Sequence, residues 1–126
     1  LAYKLRKMHT GDVVIFQNPA NVTEDYIKRL IGKPGDTVEV RDGKVFVNKE
    51  ELLEPYISDE PYYSGVWEVP TDSVFVLGDN RNSSSDSHIW GYVPIEDLVG
   101  KALVVYWPFN AIQFFPHPGM LSVNNP

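Results

Sequence analysis

Short runs in which β-branched and aromatic residues alternate with polar ones recur along the chain, each ending at a cluster of Gly, Pro or Asn. Residues 13–16 form the first, closed by Asn18-Pro19-Ala20-Asn21, and read as a strand followed by a loop. Residues 26–31 form the second, broken by Gly32 and Pro34-Gly35-Asp36. Residues 37–41 and 44–48 then alternate on either side of Asp42-Gly43, a two-residue signature of a tight hairpin. Residues 50–65 are acidic and rich in Pro, Tyr and Ser, which predicts an irregular excursion over the surface. Residues 73–77, Ser-Val-Phe-Val-Leu, are apolar on both parities, as in a strand covered on both faces, and run straight into Gly78-Asp79-Asn80. Pro94-Ile95-Glu96-Asp97 predicts a short helical turn with Pro near its start, and residues 98–107 a last strand. After Pro108 no period is sustained, so residues 111–126 are expected to be an extended or poorly ordered tail of unknown role. The pattern is that of a mainly β domain built from antiparallel sheets.

Composition narrows the functions open to such a domain. A chain of 126 residues fits one domain, and folding removes about two-thirds of its extended surface from water, enough for a core without staples. Eleven basic residues against seventeen acidic ones give a net charge of −6, a field that repels polyanions and argues against nucleic acid as a partner. The absence of cysteine excludes a disulfide framework, a thiol nucleophile and a Cys-ligated metal. His9, His88 and His117 lack paired ligand spacing, so no metal and no cofactor is expected. The longest apolar run, residues 102–109, is well short of the roughly 20 residues a spanning helix needs, and no secretory leader is recognisable.

Two segments carry candidate chemistry. In the first, Lys28 and Arg29 are adjacent on a strand, so alternation sends them to opposite faces and directs one cation inward. A lysine lying along the sheet with its ammonium in water is one reading. The other sets Lys28 among Ile27, Leu30 and Ile31, where desolvation lowers its pKa and yields a neutral amine able to take a proton, a general base. The second segment is Gly78-Asp79-Asn80-Arg81-Asn82-Ser83-Ser84-Ser85-Asp86-Ser87-His88-Ile89-Trp90-Gly91. It reads either as a self-capped surface loop or as the polar wall of a site. A triad of Asp86, Ser87 and His88 is disfavoured, because residues so close in sequence rarely reach the separate orientations a triad requires.

Taken together, Lys28-Arg29-Leu30-Ile31-Gly32-x-Pro34-Gly35-Asp36 and Gly78-Asp79-Asn80-Arg81-Asn82-x-Ser84-x-Asp86-Ser87-x-x-Trp90-Gly91 resemble type I signal peptidase of the bacterial and plastid branch. Gly11-Asp12-Val13-Val14-Ile15-Phe16 is similar to an earlier strand motif of that family, and the resemblance covers roughly residues 1–110. It implies an antiparallel, coiled, partly closed, β-barrel-like catalytic domain. It implies a Ser/Lys dyad endopeptidase, anchored in a membrane, that removes signal peptides from exported preproteins on the export side, periplasmic, extracytoplasmic or lumenal. By the motif match Lys28 is the general base and Ser84 the hydroxyl that orients its amine. Arg29 and Asp79 form a structural ion pair, and Asp86 is a second acid that fixes the loop. Asp25, Tyr26 and Ile27 match the strand along which substrate lies, with Ile27 walling pockets for small residues.

The chain departs from the family pattern in three ways, the mildest being Ser83 where an asparagine is frequent. His88 stands where an arginine commonly faces Asp86, which makes that pair dependent on pH. The nucleophile motif Ser-Met-x-Pro-Thr is not found, and no serine precedes Ser58. The expectation is therefore a fragment that carries the base but neither the nucleophile nor the membrane anchor, inactive alone. Trp107, Phe109, Phe114 and Phe115 read equally as an interfacial aromatic patch and as core packing. Two alternatives stand beside the peptidase: a non-catalytic peptide-binding module that has lost the serine, and a self-cleaving repressor-type Ser/Lys peptidase.

Overall fold

The computed structural model describes residues 6–18, 21–99 and 104–105. Among the described residues nine strands form two antiparallel sheets. The first has the order β8-β7-β2-β1-β9, from Val93–Pro94, Ser73–Leu77, Asn21–Gly32, Val13–Asn18 and Val104–Val105. The second has the order β5-β4-β3-β6, from Glu50–Glu51, Lys44–Val47, Thr37–Arg41 and Gly65–Glu68. The mainly β, antiparallel expectation holds, and the two sheets stay separate rather than closing into a barrel.

Turn chemistry sets the registers. Asp42 and Gly43 both adopt positive φ, 52° and 77°, so the β3–β4 connection is the mirror-image turn whose twist matches that of its strands. The hairpin pairs Val40 with Val45 and Arg41 with Lys44 across it. The stretch 50–65 is irregular apart from the two-residue β5 and Gly65, which opens β6. The helical turn near Pro94 is Ile95–Val99. It consumes Leu98, which was expected to open the last strand. Leu98 is buried in the first core, so its apolar signal is a helix packing contact. Of that expected strand, Val104–Val105 is described and pairs with β1. Trp107, Phe109 and residues 111–126 lie outside the described residues.

Two apolar clusters share the central strands. Val14, Phe16, Leu30, Val74, Val76, Val93, Ile95 and Leu98 build the first. Ile31, Val38, Val40, Val45, Phe75 and Leu77 belong to the second. Strand β7 is buried along its whole length because alternation gives Val74 and Val76 to one core and Phe75 and Leu77 to the other. Strand β2 does the same with Leu30 and Ile31. Each such side chain contributes roughly 1.5–3 kcal/mol, so β2 and β7 are anchored in both cores. The candidate residues sit on β2 and directly after β7.

Candidate active site

Strand β2 divides its two cations between the two sides of the sheet. Lys28 shares a parity with Tyr26 and Leu30, both associated with the first core, and Arg29 shares one with Ile31 in the second. Alternation thus leaves Leu30 and Tyr26 flanking Lys28, while Ile27 and Ile31 belong to the other face. The Lys28 amine lies 5.5 Å from the centre of the Tyr26 ring. It donates to Ser84 Oγ at 3.0 Å, across 56 residues of sequence. The residue is half-buried, and that burial holds its pKa below the ordinary value of 10.5, against the opposing pull of the Asp86 and Asp79 carboxylates.

Gly78, immediately after β7, makes the contact possible. A Cβ at this position would stand 2.0 Å from Ser84 Oγ, 2.5 Å from Ser84 Cβ and 3.5 Å from Lys28 Nζ. Only glycine admits the hydroxyl so close to the strand end. The two peptides that flank it are each held: the Gly78 N–H donates to Asp86 Oδ2 at 2.9 Å, and the Gly78 carbonyl accepts from Arg81 Nε at 2.8 Å.

On the opposite face, Arg29 is wholly buried and forks onto both carboxylate oxygens of Asp79. It also donates to the Gly11 carbonyl at 2.9 Å and stacks on the Tyr56 ring at 3.8 Å. The fork locks the loop to β2 one residue from Lys28. Asp86 accepts from Gly78 N and His88 N, and its Oδ1 pairs with His88 Nδ1. His88 stacks flat on Tyr63, 3.7 Å between ring centres. Histidine therefore makes the contact to Asp86 that the family pattern gives to arginine. Ser87 Oγ is buried and accepts from Val76 N at 2.9 Å. That bond commits Ser87 to the strand, and Asp86, Ser87 and His88 do not assemble as a triad.

Asp25 lies in β2 opposite Gln17, Tyr26 opposite Phe16 and Ile27 opposite Ile15. Among the described residues β7 pairs with β2 only at Arg29, Leu30 and Gly32, so the edge of β2 before Arg29 carries no partner strand on that side. The residues expected to contact substrate thus form an open strand edge that ends at Lys28.

Comparison with known proteins adds to this geometry. A family model described as signal peptidase, peptidase S26, matches residues 1–107. The chain belongs to that family. Signal peptidase I of Leptolyngbya laminosa is 45% identical over 121 residues, covering 89% of this chain and 59% of that protein. Probable signal peptidase I-2 of Synechocystis is 48% identical over 129 residues, covering 97% and 56%. Thylakoidal processing peptidase 1, chloroplastic, of Arabidopsis thaliana is 45% identical, covering 90% and 36%. The chain spans three-fifths or less of the length of these relatives. Among solved structures, signal peptidase I from Enterococcus faecalis superposes with a TM-score of 0.66 at 32% identity, over 72% of this chain and 92% of that one.

One residue of the candidate site, Glu54, lies outside both motifs. Glu54, in the irregular acidic stretch, forks onto Arg81 at 2.7 and 2.6 Å and accepts from Tyr56 Oη at 2.8 Å. The signal available was Arg81, a second arginine beside Arg29, inside a segment that folds onto a buried strand and therefore in need of an acid. Asp79 and Asp86, the acids within that segment, are taken by Arg29 and by Gly78 with His88. No helix among the described residues is long and apolar enough to cross a membrane.

Proposed function

We propose that this chain carries the general-base half of a Ser/Lys dyad endopeptidase that cuts signal peptides from exported preproteins. The observation that carries the reading is the 3.0 Å contact between the half-buried Lys28 amine and Ser84 Oγ. The amine whose charge is disfavoured by burial is held in one orientation by a hydroxyl, which is the geometry a proton acceptor requires. Ser84 is the orienting group rather than the nucleophile, its Oγ packed against Gly78 on one side and engaged by the Lys28 amine. The nucleophile is a serine other than Ser84 and Ser87, and the catalytic face works on the export side of the membrane.

In the reaction, a preprotein segment adds to the open edge of β2 along Asp25, Tyr26 and Ile27 by main-chain pairing, with alternate side chains entering shallow pockets that favour small residues. The serine hydroxyl attacks the scissile carbonyl as Lys28 Nζ takes its proton, forming the C–O bond. Lys28 then gives that proton to the departing amine as the C–N bond breaks, leaving an acyl-enzyme. Water attacks the ester, Lys28 takes the water's proton and returns it to the serine oxygen, and the mature and signal segments separate. Docked substrate covers the amine further and lowers its pKa more.

The test uses the serine-bearing form of the protein with a preprotein peptide. Lys28→Ala abolishes cleavage and Ser84→Ala reduces it while leaving measurable turnover. Full activity in Lys28→Ala refutes the base assignment, and complete loss in a folded Ser84→Ala variant refutes the orienting role.

A further inference from the structure

We propose that Glu54 is a positioning residue for the Lys28 site, acting through Arg81 on the carbonyl of Gly78. The inference rests on the reading of Lys28 as the base. Glu54 lies 27 residues from Arg81 in sequence, in the acidic stretch before β6 rather than in either motif. Its side chain is 5% exposed and that of Arg81 is fully buried. Both carboxylate oxygens grip the guanidinium, and Tyr56 Oη fixes one of them. The remaining Nε of Arg81 points to the Gly78 carbonyl at 2.8 Å.

The chain of contacts from Glu54 therefore ends on the peptide that forms the wall behind Ser84 and Lys28. Asp86 holds the N–H of Gly78, on the preceding peptide, but nothing except Arg81 among the described side chains is bonded to the Gly78 carbonyl. The same acidic stretch is tied to the loop at neighbouring points. Asn82 accepts from Tyr62 N at 2.7 Å and donates to the Glu60 carbonyl at 2.9 Å. A buried ion pair is poor value as a source of stability, since desolvation of the two charges offsets most of their attraction and apolar replacements often do as well. What a forked pair supplies is a fixed direction for its third donor. With Glu54 neutralised, the guanidinium loses its partner, turns toward water and releases Gly78. Ser84 then gains freedom and water reaches the Lys28 amine.

The sign of the effect separates positioning from simple charge removal. Taking a carboxylate away electrostatically disfavours a nearby ammonium and lowers its pKa, whereas admitting water to the amine raises it. The groups facing Lys28 directly, Asp79, Asp86, Ser84 and Tyr26, are unchanged by either substitution below. The experiment follows the titration of the Lys28 amine by NMR of the ¹⁵N-lysine-labelled chain, in the unmodified chain, Glu54→Gln and Arg81→Lys, with Val40→Ala in the second core as a control for lost stability alone. The expected result is a Lys28 titration below the other lysines in the unmodified chain, moved up toward the ordinary value in both Glu54→Gln and Arg81→Lys, and unmoved in Val40→Ala. An unmoved or lowered Lys28 in the two variants overturns the role of Glu54 and leaves the base assignment standing. A Lys28 that titrates with the other lysines in the unmodified chain overturns the base assignment itself. Failure of both variants to fold, or an equal upward shift in Val40→Ala, assigns the pair to general stability and also overturns the proposal.

Discussion

Gly78→Ala is the sharpest perturbation this site offers, because it adds one methyl group and no charge. The added carbon would lie 2.0 Å from Ser84 Oγ, a separation real side chains do not tolerate, so the hydroxyl has to retreat by about 1 Å or more. Gly78 itself cannot yield easily, being held by Asp86 and Arg81 at its two polar groups and by the buried β7 before it. Ser84 moves instead and gives up its contact with Lys28. Overpacking of this kind costs about 1–3 kcal/mol, which a domain with two apolar cores survives. A displacement of about 1 Å at a catalytic group costs on the order of a hundredfold in rate. The variant is therefore expected to fold, to lose about 1–3 kcal/mol in urea denaturation, and in the serine-bearing form to lose about a hundredfold in kcat. A structure of folded Gly78→Ala that keeps Lys28 and Ser84 in hydrogen-bond contact, with an unchanged denaturation midpoint, would refute the steric argument.

Three further outcomes are expected. Asp79→Ala strands the fully buried Arg29, which retains Gly11 and Tyr56 but no anion, and destabilises the chain by about 3–5 kcal/mol in urea titration. Ser87→Ala leaves the Val76 N–H without its acceptor and costs about 1–3 kcal/mol, while the serine-bearing form keeps its turnover; loss of turnover in a folded variant would restore Ser87 to the chemistry. Lys28→Met raises stability at neutral and acid pH, where the unmodified chain carries the penalty of a half-buried ammonium. The lowered folded pKa means that the unfolded chain binds more protons between that value and 10.5, so the stability of the unmodified chain rises with pH across the window and the advantage of Met fades. Urea midpoints of the two chains that run parallel over this range would contradict the depressed pKa.

The sequence carried local structure further than long-range assembly. Asp42-Gly43 announced its turn because the chemistry that fixes it lies within two residues. Residues 73–77 announced a strand covered on both faces because both parities were apolar, and the two cores explain why. Leu98 misled because an apolar residue before a valine-rich run reads alike on a short helix or a strand, and only packing against the first core decides. At the site, strand alternation was enough to part Lys28 from Arg29. The family motifs brought Ser84 to Lys28 across 56 residues, a contact no local pattern encodes. Glu54 remained invisible because its partner is set by how an irregular stretch crosses the loop, and such a path leaves no period in the sequence.

A general-base role for Lys28 requires an amine shifted by its surroundings and steered by Ser84. Site-resolved NMR of the lysine amines through a pH titration of the chain measures this directly. The expected record has Lys28 losing its proton before every other lysine, with Ser84→Ala altering that curve alone. A Lys28 amine that titrates together with the surface lysines, and ignores Ser84→Ala, would contradict it.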